Sequence, residues 1–149
     1  MREIINAALR EATKARDARR VSTLRLVSAA IKDRDIAART AGAERATDAE
    51  LLELFAKMIK QREESEKIYA EAGRAELAEQ ESSEATIIRE FLPQQLSEAD
   101  MAEAIDKAIA ETGASGMRDM GKVMGALKGR YAGQMDFGKA SAAVKAKLS

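Results

Sequence analysis

The chain has no cysteine, no histidine and no tryptophan among its 149 residues, and a single proline. Without cysteine there is no disulfide, no thiol nucleophile and no zinc–thiolate site. Without histidine the usual general base and the commonest transition-metal ligand are gone, and the Ser-His-Asp and Cys-His systems with them. Carboxylate, lysine, arginine and hydroxyl remain, and no constellation of these stands out. No catalytic, cofactor-binding or metal-ligating residue is therefore assigned. Aromatic residues are only 3% of the chain, so the core must be built from Leu, Ile, Val, Met and Ala. No apolar run approaches the roughly 18 residues of a membrane span, and the first residues lack a signal-peptide pattern. The expectation is a cytoplasmic protein with no membrane partner.

What is present is a balanced but segregated set of charges. Hydrophobic residues are 46% and charged residues 34% of the chain, a globular composition with a formal net charge of zero. Residues 1–45 hold eleven Lys/Arg against six Asp/Glu, residues 46–111 seven against seventeen, and residues 112–149 seven against two. Two basic ends thus flank an acidic middle, which net charge alone conceals. If the ends fold to one side, the surface there is basic despite a pI near 6.4.

The periodicity is helical throughout, and no stretch alternates with period two. The fold class read from it is all-α: a four-helix assembly over residues 1–92, then a small three-helix bundle over residues 93–149. A first helix from Arg2 to about Ala15 should turn Ile4, Ile5, Ala8, Leu9 and Ala12 inward. After a turn near Asp17 to Arg20, a second carries Val21, Leu24, Val27 and Ile31. Thr47 and Glu50 have the spacing of a capping box and open a third helix that stops at Gly73. A fourth runs from Arg74 to Phe91. Pro93 disfavours helical angles at Leu92 and marks the boundary. Ser97 caps the next helix, Gly113 and Gly116 follow it, and Asp136 caps the last, with Phe137, Ala140, Val144 and Leu148 inward. Between them Met117, Met120, Val123, Met124 and Leu127 recur on one helical face.

Gly121 and Gly125 lie one turn apart on a neighbouring face of that helix. Each costs about 1 kcal/mol against alanine, so the pair implies close approach of something: another helix packing there, or a partner. Arg118, Lys122, Lys128, Arg130 and Lys139 surround them and the glycine-rich stretch Gly129 to Gly138, whose loop amides could meet phosphates. No Walker pattern is present, which speaks against nucleotide binding. A second basic cluster, Lys14, Arg16, Arg19, Arg20 and Arg25, falls at the junction of helices one and two, with Lys60 and Arg62 either joining it or solvating helix three. There the cations either complement the end of helix one or bind phosphate. Tyr131 and Phe137 either stack on bases or join the core. The glutamates of the middle (Glu63, Glu64, Glu66, Glu71, Glu76, Glu79, Glu81 and Glu84) read best as a solvated face, and as a possible docking surface for a basic protein.

These runs carry a resemblance. The segment MGKVMGALK from Met120 to Lys128 resembles the carboxy-terminal tail of the B subunit of tRNA-dependent amidotransferases. The match falls on Gly121, Val123, Met124, Ala126 and Lys128. Lys122 and Gly125 depart from that pattern, as does the longer connection from Tyr131 to Phe137. With KARD at 14–17, STLRL at 22–26, AAIK at 29–32, IKQR at 59–62, AGR at 72–74 and FLPQQLS at 91–97, nearly the whole chain is similar to the free-standing YqeY family. The resemblance implies a tRNA connection: a noncatalytic tRNA-binding or tRNA-handling module, related to glutamine-dependent carbon–nitrogen ligases but lacking their catalytic parts. Two alternatives stand beside it. One is a component of an amidotransferase-type enzyme that acts only with partner subunits; the other is a helical protein-binding adaptor.

Overall fold

The computed structural model describes all of residues 1–149 and is entirely helical. Seven α-helices follow in order: α1 (Arg2–Lys14), α2 (Ala18–Thr40), α3 (Asp48–Glu71), α4 (Ala75–Arg89), α5 (Glu98–Thr112), α6 (Met120–Tyr131) and α7 (Phe137–Leu148). A short 3-10 turn at Met117–Asp119 leads into α6. The chain divides into two compact units, Met1–Leu92 and Pro93–Ser149.

Local chemistry sets most of the helix ends. Asp17 caps α2 by accepting from the Arg20 amide, which starts that helix at Ala18 and shortens the expected turn. Thr47 and Glu50 form the capping box of α3, each side chain accepting from the other's backbone amide. Gly73, at φ 73°, follows α3 in the left-handed conformation that glycine adopts without strain. Ser97 caps α5, and Asp136 caps α7 by accepting from the amides of Gly138 and Lys139.

In the first unit α1 to α4 bury Ile5, Val27, Ile31, Leu51, Phe55, Met58, Ile59 and Ile88, with Phe91 and Leu92 packed at the edge. Ile4 was expected to face inward and is instead 55% exposed. The buried positions of α1 are Ile5 and Ala12, and one step back along a helix turns a side chain about 100° away. Asp35 ties α1 to the segment after α2. Its carboxylate accepts from Arg2 Nη2 at 2.5 Å and from the Ala46 amide at 2.9 Å. These donors, the Arg2 side chain foremost, hold the Asp35 carboxyl below its ordinary range. A depressed acid stabilises the fold above its unfolded pKa and loses that contribution as pH falls through the folded one. Asp35→Asn should therefore lower the melting temperature at neutral pH and flatten its decline on acidification between pH 5 and 2, as followed by circular dichroism.

Arg62 and Glu84 correct two further expectations. Neither belongs to a solvated face. The Arg62 Nε donates to Glu84 Oε2 at 3.0 Å between α3 and α4, and the side chains keep only 13% and 10% of their exposure. Burial, and then the nearby Glu84 charge, push the Glu81 carboxyl upward, with Arg62 opposing. Removing the cation leaves that acidic pair uncompensated. Arg62→Ala should destabilise the first unit by about 3 kcal/mol, and adding Glu84→Leu should restore a good part of the loss. Urea titration of the single and double variants measures both.

The second unit buries Ala104, Ile105, Ala108, Val123, Leu127, Met135, Ala140 and Val144 among α5, α6 and α7. Met117 was expected on the buried face of α6 and is 43% exposed. Gly116 is extended, and Asp119 Oδ2 accepts from the Ser115 amide at 3.1 Å. The helix therefore begins at Met120, and the 3-10 turn before it swings Met117 off the stripe. At its other end α6 runs on to Tyr131, so Gly129 and Arg130 are helical rather than part of a loop.

Candidate nucleic-acid interface

α6 is built from two unlike faces. Val123 and Leu127 are completely buried. Opposite them, Gly121, Gly125 and Gly129 recur every four residues, and nothing stands within 4 Å of where a Cβ would sit on any of the three. Close packing by another helix is thus not what these glycines serve within the unit. At about 100° per residue the three span about 80° of the circumference, with Lys122 and Lys128 each about 20° outside an edge. Arg130 lies about 100° beyond the strip. Over eight residues the bare backbone extends about 12 Å.

The cations around this strip differ in what holds them. Lys128 and Arg118 are exposed and engage no acidic group. Lys122 lies 3.8 Å from Asp119 and is 70% exposed, a loose pair worth little. Arg130 forms an ion pair with Glu111 at 2.5 Å and belongs to the α5–α6 contact rather than to the open strip. Lys139 stands in the first turn of α7, its amide given to Asp136. The loop from Ala132 to Asp136 is itself committed. Its Gln134 amide donates to Tyr131 and its Gln134 carbonyl accepts from Leu96 at 2.8 Å. Gly138 serves the cap, since a Cβ there would stand 3.0 Å from Asp136 Oδ1. Of the amides in and just after this loop, those of Gln134, Gly138 and Lys139 are already bonded within the chain. Tyr131 and Phe137 are both half-buried against the core of the unit.

The other basic cluster is brought together where α1 turns into α2. α1 closes through Arg16, whose amide donates to Thr13, and Asp17, whose amide donates to Ala12. Arg16 therefore takes the left-handed position, at φ 55°. Arg19 donates to the Ser83 hydroxyl at 3.1 Å, and Arg20 to Glu90 at 2.5 Å while lying 6.0 Å over the Phe91 ring. Those two brace α2 on α4. Lys14, loosely paired with Glu11 at 3.7 Å, points outward with the unpaired Arg16 and Arg25. Of five sequence candidates, three are therefore available to a partner. The Arg20–Glu90 tie spans seventy residues of sequence and leaves no local signal.

The family model described as Yqey-like protein matches residues 2–148, from the first turn of α1 to the end of α7. The chain belongs to the YqeY family. No curated protein matches it. In this member of the YqeY family no group of three or more acidic side chains converges to hold a metal ion, and no helix is long and apolar enough to cross a membrane. Its conspicuous surface features are cationic: the open glycine strip of α6 with Lys122 and Lys128, and the outward trio at the α1–α2 junction. Sequence reading found two of the strip's three glycines. Gly129 continues their spacing of four, and that regularity was the signal available.

Proposed function

We propose that this YqeY-family chain is a noncatalytic RNA-handling module that binds folded RNA of the tRNA type through its basic surfaces. The observation that carries the reading is the α6 strip: exposed helix backbone bracketed by two lysines. Phosphates and 2′-hydroxyls are how structured RNA is recognised, and a helix surface without side chains lets a sugar–phosphate backbone come close. Lys14, Arg16 and Arg25 add a second set of contacts, with Arg118 and Lys139 in supporting positions. Arg19, Arg20 and Arg130 contribute through the fold that presents the others. The likeness of Met120 to Lys128 to the amidotransferase tail makes tRNA the substrate class to try.

Filter retention of tRNA over a salt series tests this, with unrelated duplex RNA as competitor. The expected result is binding that resists competitor and weakens by several log units per log unit of salt, at about −0.9 for each phosphate neutralised. Binding no tighter than to competitor would refute it.

One observation favours an adaptor as the second reading. From Lys60 to Leu77 no residue is buried, and Ile68 is 64% exposed with Leu77 at 37% near the acidic end of the α3–α4 hairpin. Such a tip suits a partner protein with apolar and basic groups. Ile68→Asp should leave RNA binding intact and abolish co-purification of any such partner.

A further inference from the structure

We infer that the amino-terminal face of α2 binds an unpaired stretch of RNA, with Arg16 and Arg25 on its phosphates and the depression beside Arg25 receiving a base. This rests on the RNA reading above and narrows it, for the first unit, to RNA with exposed nucleotides.

Arg16 is the first observation. Five residues in the chain have positive φ: Gly42, Gly73, Gly113, Gly133 and Arg16. Glycine takes that conformation freely, whereas a side chain with a Cβ is strained in it. Asn or Asp can relieve the strain by bonding locally, but the Arg16 side chain bonds to nothing and is exposed. Nothing within the fold offsets the choice of arginine over glycine. Strained residues of this kind collect at functional sites, and here the backbone sets the direction in which the Cα–Cβ bond of an unbonded arginine leaves the chain.

The depression is the second. It is lined by Ala18, Val21, Ser22, Arg25 and Leu26, all on one side of α2. Ala18 and Ser22 are small, the larger apolar Val21 and Leu26 fall to either side of them around the helix, and Leu26 is 46% exposed. Arg25 stands at the far end, about 10 Å along the helix from Ala18. Cation, a low stretch with apolar flanks, and cation thus follow one another, as phosphate, base and phosphate do along an unpaired strand. A duplex keeps its bases stacked inside and would use the arginines without Leu26. A docked acidic helix needs a row of apolar contacts at i, i+3, i+4 and i+7 spacing, and only Val21 and Leu26 are large and apolar here.

The test uses the full chain with a fluorescent oligoadenylate and an RNA duplex of equal length. The natural chain should prefer the oligoadenylate. Arg16→Gly should weaken it by on the order of tenfold while the melting temperature stays equal or rises, because glycine relieves the backbone. A purely structural Arg16 would move the melting temperature alone. Leu26→Ser should weaken oligoadenylate binding and spare the duplex. If both variants bind oligoadenylate like the natural chain while Lys122→Glu/Lys128→Glu still abolishes tRNA binding, the RNA reading stands and this inference falls. If the chain binds neither oligoadenylate nor tRNA, both fall. Polyglutamate taking the oligoadenylate's place, with the same dependence on Arg16 and Leu26, would overturn the inference in favour of an acidic protein.

Discussion

Reversing Lys122 and Lys128 together is expected to weaken tRNA binding by on the order of 100-fold, since each exchange turns a phosphate contact into a repulsion. The fold should hardly notice. Lys122 is 70% exposed with only a 3.8 Å partner in Asp119, and Lys128 has none. Exposed pairs and last-turn cations contribute less than about 1 kcal/mol. Arg130 is left out of the variant deliberately: its 2.5 Å ion pair with Glu111 would turn into a like-charge contact between α5 and α6. Filter retention and a thermal melt on the same samples separate the effects. A double variant that melts normally and still binds tRNA would exclude the α6 surface.

The glycine strip gives the second large effect, and it has opposite signs in two measurements. Gly121, Gly125 and Gly129 have open space where a Cβ would go, so alanine fits at each. Gly-to-alanine exchange inside an exposed helix stabilises by about 0.5–1 kcal/mol per position. The triple variant should therefore gain about 2 kcal/mol, and the second unit should melt about 10 °C higher. Three methyl groups would also hold a ligand off the helix backbone, carrying contacts past hydrogen-bonding distance. Affinity for tRNA should fall on the order of tenfold. Stability gained and binding lost together would mean that the glycines serve a partner; unchanged binding would mean that close approach at α6 plays no part.

How much of this could be read in advance depended on distance along the chain. The capping box of Thr47 and Glu50, the caps at Ser97 and Asp136 and the stop at Gly73 are events of three or four residues, and the sequence holds all the participants. Helical spacing likewise located the buried faces, from Leu24, Val27 and Ile31 to Ala140 and Val144. What escaped was tertiary. Whether Ile4 or Ile5 turns inward depends on which neighbour α1 meets. Arg62 and Glu84, twenty-two residues apart, look like two more surface charges until α3 and α4 fold together. The cation clusters were visible as composition, but not which members are tied: Arg20 to Glu90 and Arg130 to Glu111 become apparent only once the helices are placed. The glycines were visible too. That no neighbour packs against them within the unit emerged only when the space around them was known.

The measurement that goes most directly to the role of α6 is a nuclear magnetic resonance titration of the 15N-labelled chain with tRNA, read at the backbone amides. The proposed surface predicts shifts or broadening at Gly121, Gly125 and Gly129, with smaller changes at buried Val123 and Leu127. A tRNA titration that leaves the three glycine amides unmoved, at concentrations where filter retention reports binding, would contradict it.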